Sequence, residues 1–225
     1  MPRGKSAIPA AQLHYRPVAA SSSLSSPSAA HTATRAEVLK RGTLAAGALA
    51  AGGVLAAEFA EFGFSAASPQ QDARIFNFAL LLEYLTAAFY ADAVKKGALK
   101  GELLQFAETV GGHEQAHVNL LKKALGGAAR AAPKFNFGPA TATPARFIAT
   151  AVTLEDTGVA AYNGQATNLT ADALAAAARI VSVEARHAAW IRDIAGKTPA
   201  EDATDAPLTA TRVLAIVKST GFVKG

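Results

Sequence analysis

The fold is decided by two tetrapeptides, Glu-Gln-Ala-His at residues 114–117 and Glu-Ala-Arg-His at residues 184–187. Residues three apart on a helix share a face, so each pair directs a carboxylate and an imidazole at one point. Both pairs lie within stripes of apolar residues that recur at helical spacing. The sequence therefore predicts two helices whose buried seams are each interrupted by a Glu-x-x-His pair.

Two more helices each carry a lone glutamate in an apolar stripe. The first is predicted at about residues 70–96 with Glu83 on its inner face, and the second at about 144–168 with Glu155. With the pairs at about 101–125 and 171–196, the sequence predicts an all-α bundle of four helices. The Gly- and Pro-rich residues 126–143 are long enough to cross from one end of the bundle to the other.

The two halves of this region repeat each other. A shift of 72 residues places Glu83 and Tyr90 on Glu155 and Tyr162, and a shift of 70 places the first Glu-x-x-His pair on the second. Each half thus contributes a helix with one glutamate and a helix with a Glu-x-x-His pair. That arrangement is the one found in dimetal carboxylate proteins built on helical bundles.

The motifs Leu-Glu-x-x-x-x-Ala-x-Tyr, Glu-x-x-His-Val and Val-Glu-Ala-Arg-His-Ala-Ala resemble the ferritin-like superfamily. The resemblance is strongest to bacterial ferritin-like domain proteins related to plant desiccation-related proteins. It implies a ferritin-like four-helix bundle with a long crossover between helices 2 and 3 and a short C-terminal helix. It also implies two iron ions, or two manganese ions or a mixed pair, with these ligands: Glu83, Glu114, His117, Glu155, Glu184 and His187.

The residue types in this set suit two divalent cations. Four carboxylates balance the charge of two such ions, and carboxylates mixed with imidazoles suit iron or manganese. The chain has no cysteine, which excludes thiolate ligands. Glu83 and Glu155 are candidates to bridge the ions. Tyr90 and Tyr162 follow these glutamates by two helical turns. They are candidate catalytic residues that hydrogen-bond to the ligands or relay electrons, and the alternative is that they pack in the core.

His113 lies about 100° around the helix from Glu114, which favours a surface role over metal binding.

The expected function is oxidation of ferrous iron or reduction of dioxygen or peroxide. A manganese catalase and a non-catalytic, metal-binding stress or desiccation-related protein are the alternatives. The chain has a net charge of +5, but its positively charged residues are dispersed, so we expect no nucleic-acid partner. The sequence leaves oligomerisation open.

The chain is expected to divide into a leader at residues 1–67, the bundle at 68–196 and a tail with a short helix at 197–225. The first 34 residues contain no acidic residue and are expected to be disordered. Residues 34–57 resemble a twin-arginine export signal, although Ala36 stands where that motif has its second arginine. This predicts export to the periplasm or cell envelope, with a membrane anchor at residues 43–60 as the alternative.

Overall fold

A computed structural model describes residues 67–224 of the chain, and most of these residues are helical. Within this range the α-helices are α1 (Pro69–Lys96), α2 (Gly101–Leu125), α3 (Pro144–Gln165), α4 (Ala171–Ile194) and α5 (Ala210–Thr220). Two short strands, β1 (Lys134–Phe135) and β2 (Val223–Lys224), and three 3₁₀ turns complete the regular structure of the described residues. The predicted all-α class is confirmed.

Local sequence signals set the ends of the helices. The hydroxyl of Ser68 accepts a hydrogen bond from the backbone N–H of Gln71 at 3.2 Å, and Pro69 follows at the first helical position. Thr143 and Pro144 begin α3 in the same way. Gly97 ends α1 with φ at 70°, in the left-handed region that glycine adopts without strain. α3 is shorter than predicted because a 3₁₀ turn at residues 166–168 replaces its last turn.

The four long helices form two hairpins. α1 packs on α2 and α3 packs on α4, and each pair is joined by a short connection. Residues 126–143 connect the hairpins and carry two 3₁₀ turns and β1. Further contacts between α1 and α3, and between α2 and α4, close the bundle. This is the predicted arrangement of the four helices, with the long connection in its predicted place.

The core consists of two apolar layers. One is rich in aromatic rings, and Phe89 stacks on Phe147 with ring centroids 5.3 Å apart. The other contains Leu80, Leu121 and Ile180, which are all essentially inaccessible. Along each long helix, the predicted ligands lie between residues of the first layer and residues of the second. The polar groups are therefore enclosed by apolar side chains along the length of the bundle.

The C-terminal segment is fixed to the bundle at both ends. The N–H of Leu208 donates to the carbonyl oxygen of Ala160 at 2.9 Å, just before α5 packs on α3. After α5, β2 pairs antiparallel with β1 in the crossover, with Val223 opposite Phe135. The sequence predicted the short helix but not this pair of strands.

The predictions for the leader, the export signal and the membrane anchor at residues 43–60 fall on residues outside those described, apart from Ala67 at the leader's edge. Among the described helices, none combines the length and hydrophobicity needed to cross a membrane.

Candidate metal centre

The structure brings all six predicted ligand side chains together between the four long helices. α1 and α3 each supply one glutamate, and α2 and α4 each supply a Glu-x-x-His pair. All six residues are buried, and the most accessible of them, His117, is 8% exposed. That they bind metal ions stays a prediction, but the prediction that they converge is confirmed.

Potential ligand atoms form two overlapping groups, within each of which they lie no more than 4.8 Å apart. One group contains Glu83 and His117, and the other contains Glu155 and His187. Glu114 and Glu184 belong to both groups. Glu114 and Glu184, rather than Glu83 and Glu155, are thus the glutamates common to both groups, and the bridging role expected for Glu83 and Glu155 stays a prediction.

Each imidazole approaches carboxylates from more than one helix. The Nδ1 atom of His117 lies 2.8 Å from Oε1 of Glu184 and 3.4 Å from Oε2 of Glu83. The Nδ1 atom of His187 lies 3.1 Å from Oε1 of Glu114 and 3.5 Å from Oε2 of Glu155. The histidine of each Glu-x-x-His pair thus contacts the glutamate of the other pair, so the centre requires both hairpins.

One buried atom of every candidate ligand meets the described residues only through the His–Glu contacts at 2.8–3.7 Å within the cluster, and makes no hydrogen bond of suitable geometry. These atoms are Oε2 of Glu83, Oε1 of Glu114, Nδ1 of His117, Oε2 of Glu155, Oε1 of Glu184 and Nδ1 of His187. Buried polar atoms are normally satisfied, since leaving one without a partner costs about 1–3 kcal/mol. Six such atoms pointing at one region fit a pair of metal ions, which would satisfy them all.

Hydroxyl groups hold the other oxygens of three carboxylates. Tyr162 donates to Oε1 of Glu83 at 2.5 Å, and Tyr90 donates to Oε1 of Glu155. Thr86 donates to Oε2 of Glu114 at 2.7 Å. In each case the oxygen without a partner is the one that faces the centre. The hydrogen-bonding role considered for both tyrosines is therefore present, although catalysis by them stays a prediction.

His113 is more closely connected to the centre than the sequence suggested. Its side chain is exposed, as expected, yet its Nδ1 atom lies 2.9 Å from Nε2 of His187. The two rings stack with centroids 5.2 Å apart. His113 thus engages the outer nitrogen of His187 and leaves Nδ1 facing the carboxylates. The spacing of four residues between His113 and His117 places both on one side of α2, but the partner of His113 is His187 on α4.

Burial sets the direction of the pKa shift for three of the four candidate glutamates. It raises the pKa of Glu83 and Glu114, and the nearby Glu184 carboxylate raises both further. Burial also raises the pKa of Glu155 to about 8, against the lowering effect of His187 beside it. Burial acts to raise the pKa of Glu184 as well, but its contacts with His117 and His187 outweigh this effect and lower it.

The imidazoles shift in the opposite sense to the one burial alone would produce. Burial acts to lower the pKa of His117, but contacts with Glu184 and Glu83 raise it to about 10. The pKa of His187 rises to about 12 because three carboxylates surround it. At neutral pH the protein without bound cations therefore holds protons in this cluster. Divalent cations would displace those protons on binding.

Fold and centre together define a helical-bundle protein with a buried carboxylate–histidine cluster of the kind that holds metal ions. Residues 71–197, more than half of the chain, match the ferritin-like domain family, and the chain belongs to that family. No curated protein matches the chain.

Proposed function

We propose that the cluster binds two redox-active divalent ions, most readily iron, and that the chain oxidises ferrous iron or reduces dioxygen or peroxide. The convergence of six buried ligand atoms, which contact one another across the cluster, carries this proposal. They belong to two groups that share Glu114 and Glu184, which is the pattern two neighbouring ions require. The proposed ligands are Glu83, Glu114, His117, Glu155, Glu184 and His187.

The composition of the cluster supports iron or manganese. Four carboxylates carry four negative charges, which two divalent ions neutralise. The site combines carboxylate oxygens with imidazole nitrogens, and the chain contains no cysteine that could supply a thiolate. Neutralisation matters here because four ionised carboxylates in a buried site would repel one another strongly.

Two metals give the reaction its electron balance. Two ferrous ions oxidised to ferric ions release two electrons, which with two protons convert dioxygen to hydrogen peroxide or hydrogen peroxide to two waters. The chain's own part is to hold the carboxylates at fixed positions. Tyr162, Tyr90 and Thr86 do so by hydrogen bonds to the oxygens that face away from the centre.

Metal analysis and stopped-flow oxidation of added Fe(II) by the full-length chain test the proposal. The double variant Glu114→Gln with Glu184→Gln removes both shared carboxylates while preserving side-chain shape. It is expected to lose both metals and iron oxidation. The matched control is Glu108→Gln, an exposed glutamate on the same helix as Glu114, which should change neither.

Three results would redirect the assignment. Manganese in the purified protein, together with disproportionation of peroxide, would identify a manganese catalase. Two tightly bound metals without turnover of iron, dioxygen or peroxide would favour a protective stress protein. Iron oxidation that survives the double variant would refute the proposed centre.

We also propose that the chain is exported. The support is the twin-arginine-like segment followed by the apolar run at residues 43–57. Cell fractionation of the full-length chain and of Arg35→Lys tests it, with loss of export expected for the variant. A cytoplasmic wild-type chain would contradict the proposal.

A further inference from the structure

The candidate metal centre has one wall that comes from outside the four long helices. Glu83, Glu114 and Glu184 line the cavity of the centre together with other residues of α1–α4. The remaining lining residues are Ile216 and Val217, which belong to α5. Since α5 packs on α3 from the outside of the bundle, it separates this side of the centre from solvent.

The side that α5 covers offers a polar route to the centre. The residues that line it include Thr86 and Thr157 as well as the three carboxylates, and Gly158 adds no side chain there. All six candidate ligands are buried, so a hydrated cation cannot reach them while α5 is in place. Oxygen atoms can replace the water around a divalent cation as it enters. Displacement of α5 would therefore open a path along which a cation exchanges water for protein oxygens.

α5 is attached in a way that allows it to separate from the bundle as a unit. Residues 195–209 join it to α4 without any helix or strand, and residues 196–207 are all exposed. A helix of 11 residues does not persist alone, so α5 depends on its contacts. These are the burial of Val213 and Val217 and the pairing of β2 with β1. Peripheral elements of this kind open at a lower free energy than the core.

We propose that residues 208–224, here called the C-terminal strap, close the metal centre, and that detachment of the strap sets the rate at which cations enter and leave. The inference deepens the proposed function and rests on its metal-binding part, but not on any redox reaction. The strap lies beyond the family match, which ends at residue 197. It therefore adds control over cation exchange to a cluster that is built entirely from the matched region.

A disulfide between β1 and β2 would lock the strap. Lys134 and Lys224 are exposed cross-strand partners, and the chain has no cysteine that could compete. Directly opposed residues of an antiparallel pair have Cα atoms about 4.5–5.5 Å apart, which suits a disulfide. Lys134→Cys with Lys224→Cys should therefore hold the strap closed when oxidised. Lys134→Ser with Lys224→Ser is the matched control, because it loses the same two lysines without forming a bond.

Cobalt(II) is the probe, because its absorption in the visible reports whether it is coordinated. The full-length variants are loaded with cobalt under argon, and its release is followed after addition of excess EDTA. Cobalt should leave the oxidised cysteine variant roughly ten-fold or more slowly than the serine variant, since the disulfide disfavours the detached state. The cobalt affinities of the two variants should agree.

Val213→Ala loosens the strap without altering the cavity. The Val213 side chain is fully buried but does not line the cavity. Its truncation should accelerate both entry and release of cobalt by roughly ten-fold, because the buried packing of α5 weakens, and should leave the affinity unchanged. Thr211→Ala, an exposed change on the same helix, is the control. Hydrogen exchange in Val213→Ala should show weaker protection in α5 and unchanged protection in α1–α4.

The outcomes separate the strap from the proposed function. A wild-type chain that binds neither cobalt nor iron refutes metal binding, and the role of the strap with it. An oxidised cysteine variant that releases cobalt as fast as the serine variant refutes the strap alone. Faster release from Val213→Ala that is matched by an equal loss of affinity would also refute it, because a strap that only controls access changes both rates together.

Discussion

The hydroxyl of Tyr162 on α3 lies 2.5 Å from Oε1 of Glu83 on α1. The repeat-related pair reverses the direction, since Tyr90 on α1 donates to Glu155 on α3. Both tyrosines are buried, and burial raises the pKa of each well above its ordinary value, with the adjacent carboxylate adding to the effect. They therefore remain protonated donors across the physiological pH range.

Replacing Tyr162 with Phe should weaken metal binding without changing the fold. The variant loses the donor that orients Glu83, and losses of this kind cost about 10- to 100-fold in metal affinity. Competition with a chelator of known affinity measures the change. Tyr84→Phe is the control, because the Tyr84 hydroxyl bonds to the carbonyl of Arg130 away from the centre. Equal affinities in the two variants would contradict the orienting role.

His113→Ala should lower metal affinity by about 10- to 100-fold, although His113 belongs to neither group of candidate ligands. The reason is its 2.9 Å contact with the outer nitrogen of His187, which keeps Nδ1 turned to the carboxylates. Metal titration monitored by calorimetry gives the affinity. Gln115→Ala, an exposed change two residues away, should have no effect. A loss of stability without a loss of affinity would argue against this role.

The metal-free protein should become less stable as pH rises from about 5 to 9. Glu155 (pKa about 8), His117 (about 10) and His187 (about 12) all bind protons more tightly when folded than their ordinary values allow. The folded state therefore holds more protons, and each group lowers the stability as pH rises from its ordinary pKa to its raised pKa. The lowered pKa of Glu184 acts only below about pH 4.5.

The stabilisation that metal ions provide should change with pH in the opposite direction. Metals displace the protons held by these groups, so their binding strengthens as pH rises. Thermal unfolding with and without metal across this pH range tests both slopes. A metal-free protein that gains stability between pH 6 and 9 would contradict the buried, protonated cluster.

Gly164→Ala should destabilise the protein, although alanine normally favours a helix over glycine by up to about 1 kcal/mol. A Cβ at this position would lie 1.8 Å from the carbonyl oxygen of Leu208, so the chain before α5 must move. Hydrogen exchange should show weaker protection in α5. Gly112→Ala, on an open helical surface, should stabilise the protein instead. Equal behaviour of the two variants would refute the close packing.

The sequence predicted the helices well because their signals are local. Ser68-Pro69, Gly97, Thr143-Pro144 and Thr170 mark boundaries by capping and by backbone preference, whatever the rest of the chain does. The six candidate ligands were also predictable. Ionisable residues within an apolar stripe are rare unless something binds them, and here they recur at equivalent positions in both halves.

Features that depend on the neighbouring element were missed. β1 and β2 have two residues each and form only because the fold brings residues 134 and 224 together. The shared position of Glu114 and Glu184 depends on how the helices are rotated against one another. The contact of His113 crosses from α2 to α4, so its position on its own helix could not reveal it.

The exchanged tyrosine donors have an implication for the origin of the fold. A single helical hairpin would contain a Glu-x-x-His pair and a glutamate, but the hydroxyl it offers is aimed at a glutamate in the other hairpin. One such hairpin alone would leave its tyrosine hydroxyl and its glutamate without these partners. Two copies related by a twofold axis would supply the partners to each other. The internal repeat is the pattern expected if an ancestral hairpin that formed homodimers was duplicated and the two copies were fused into one chain.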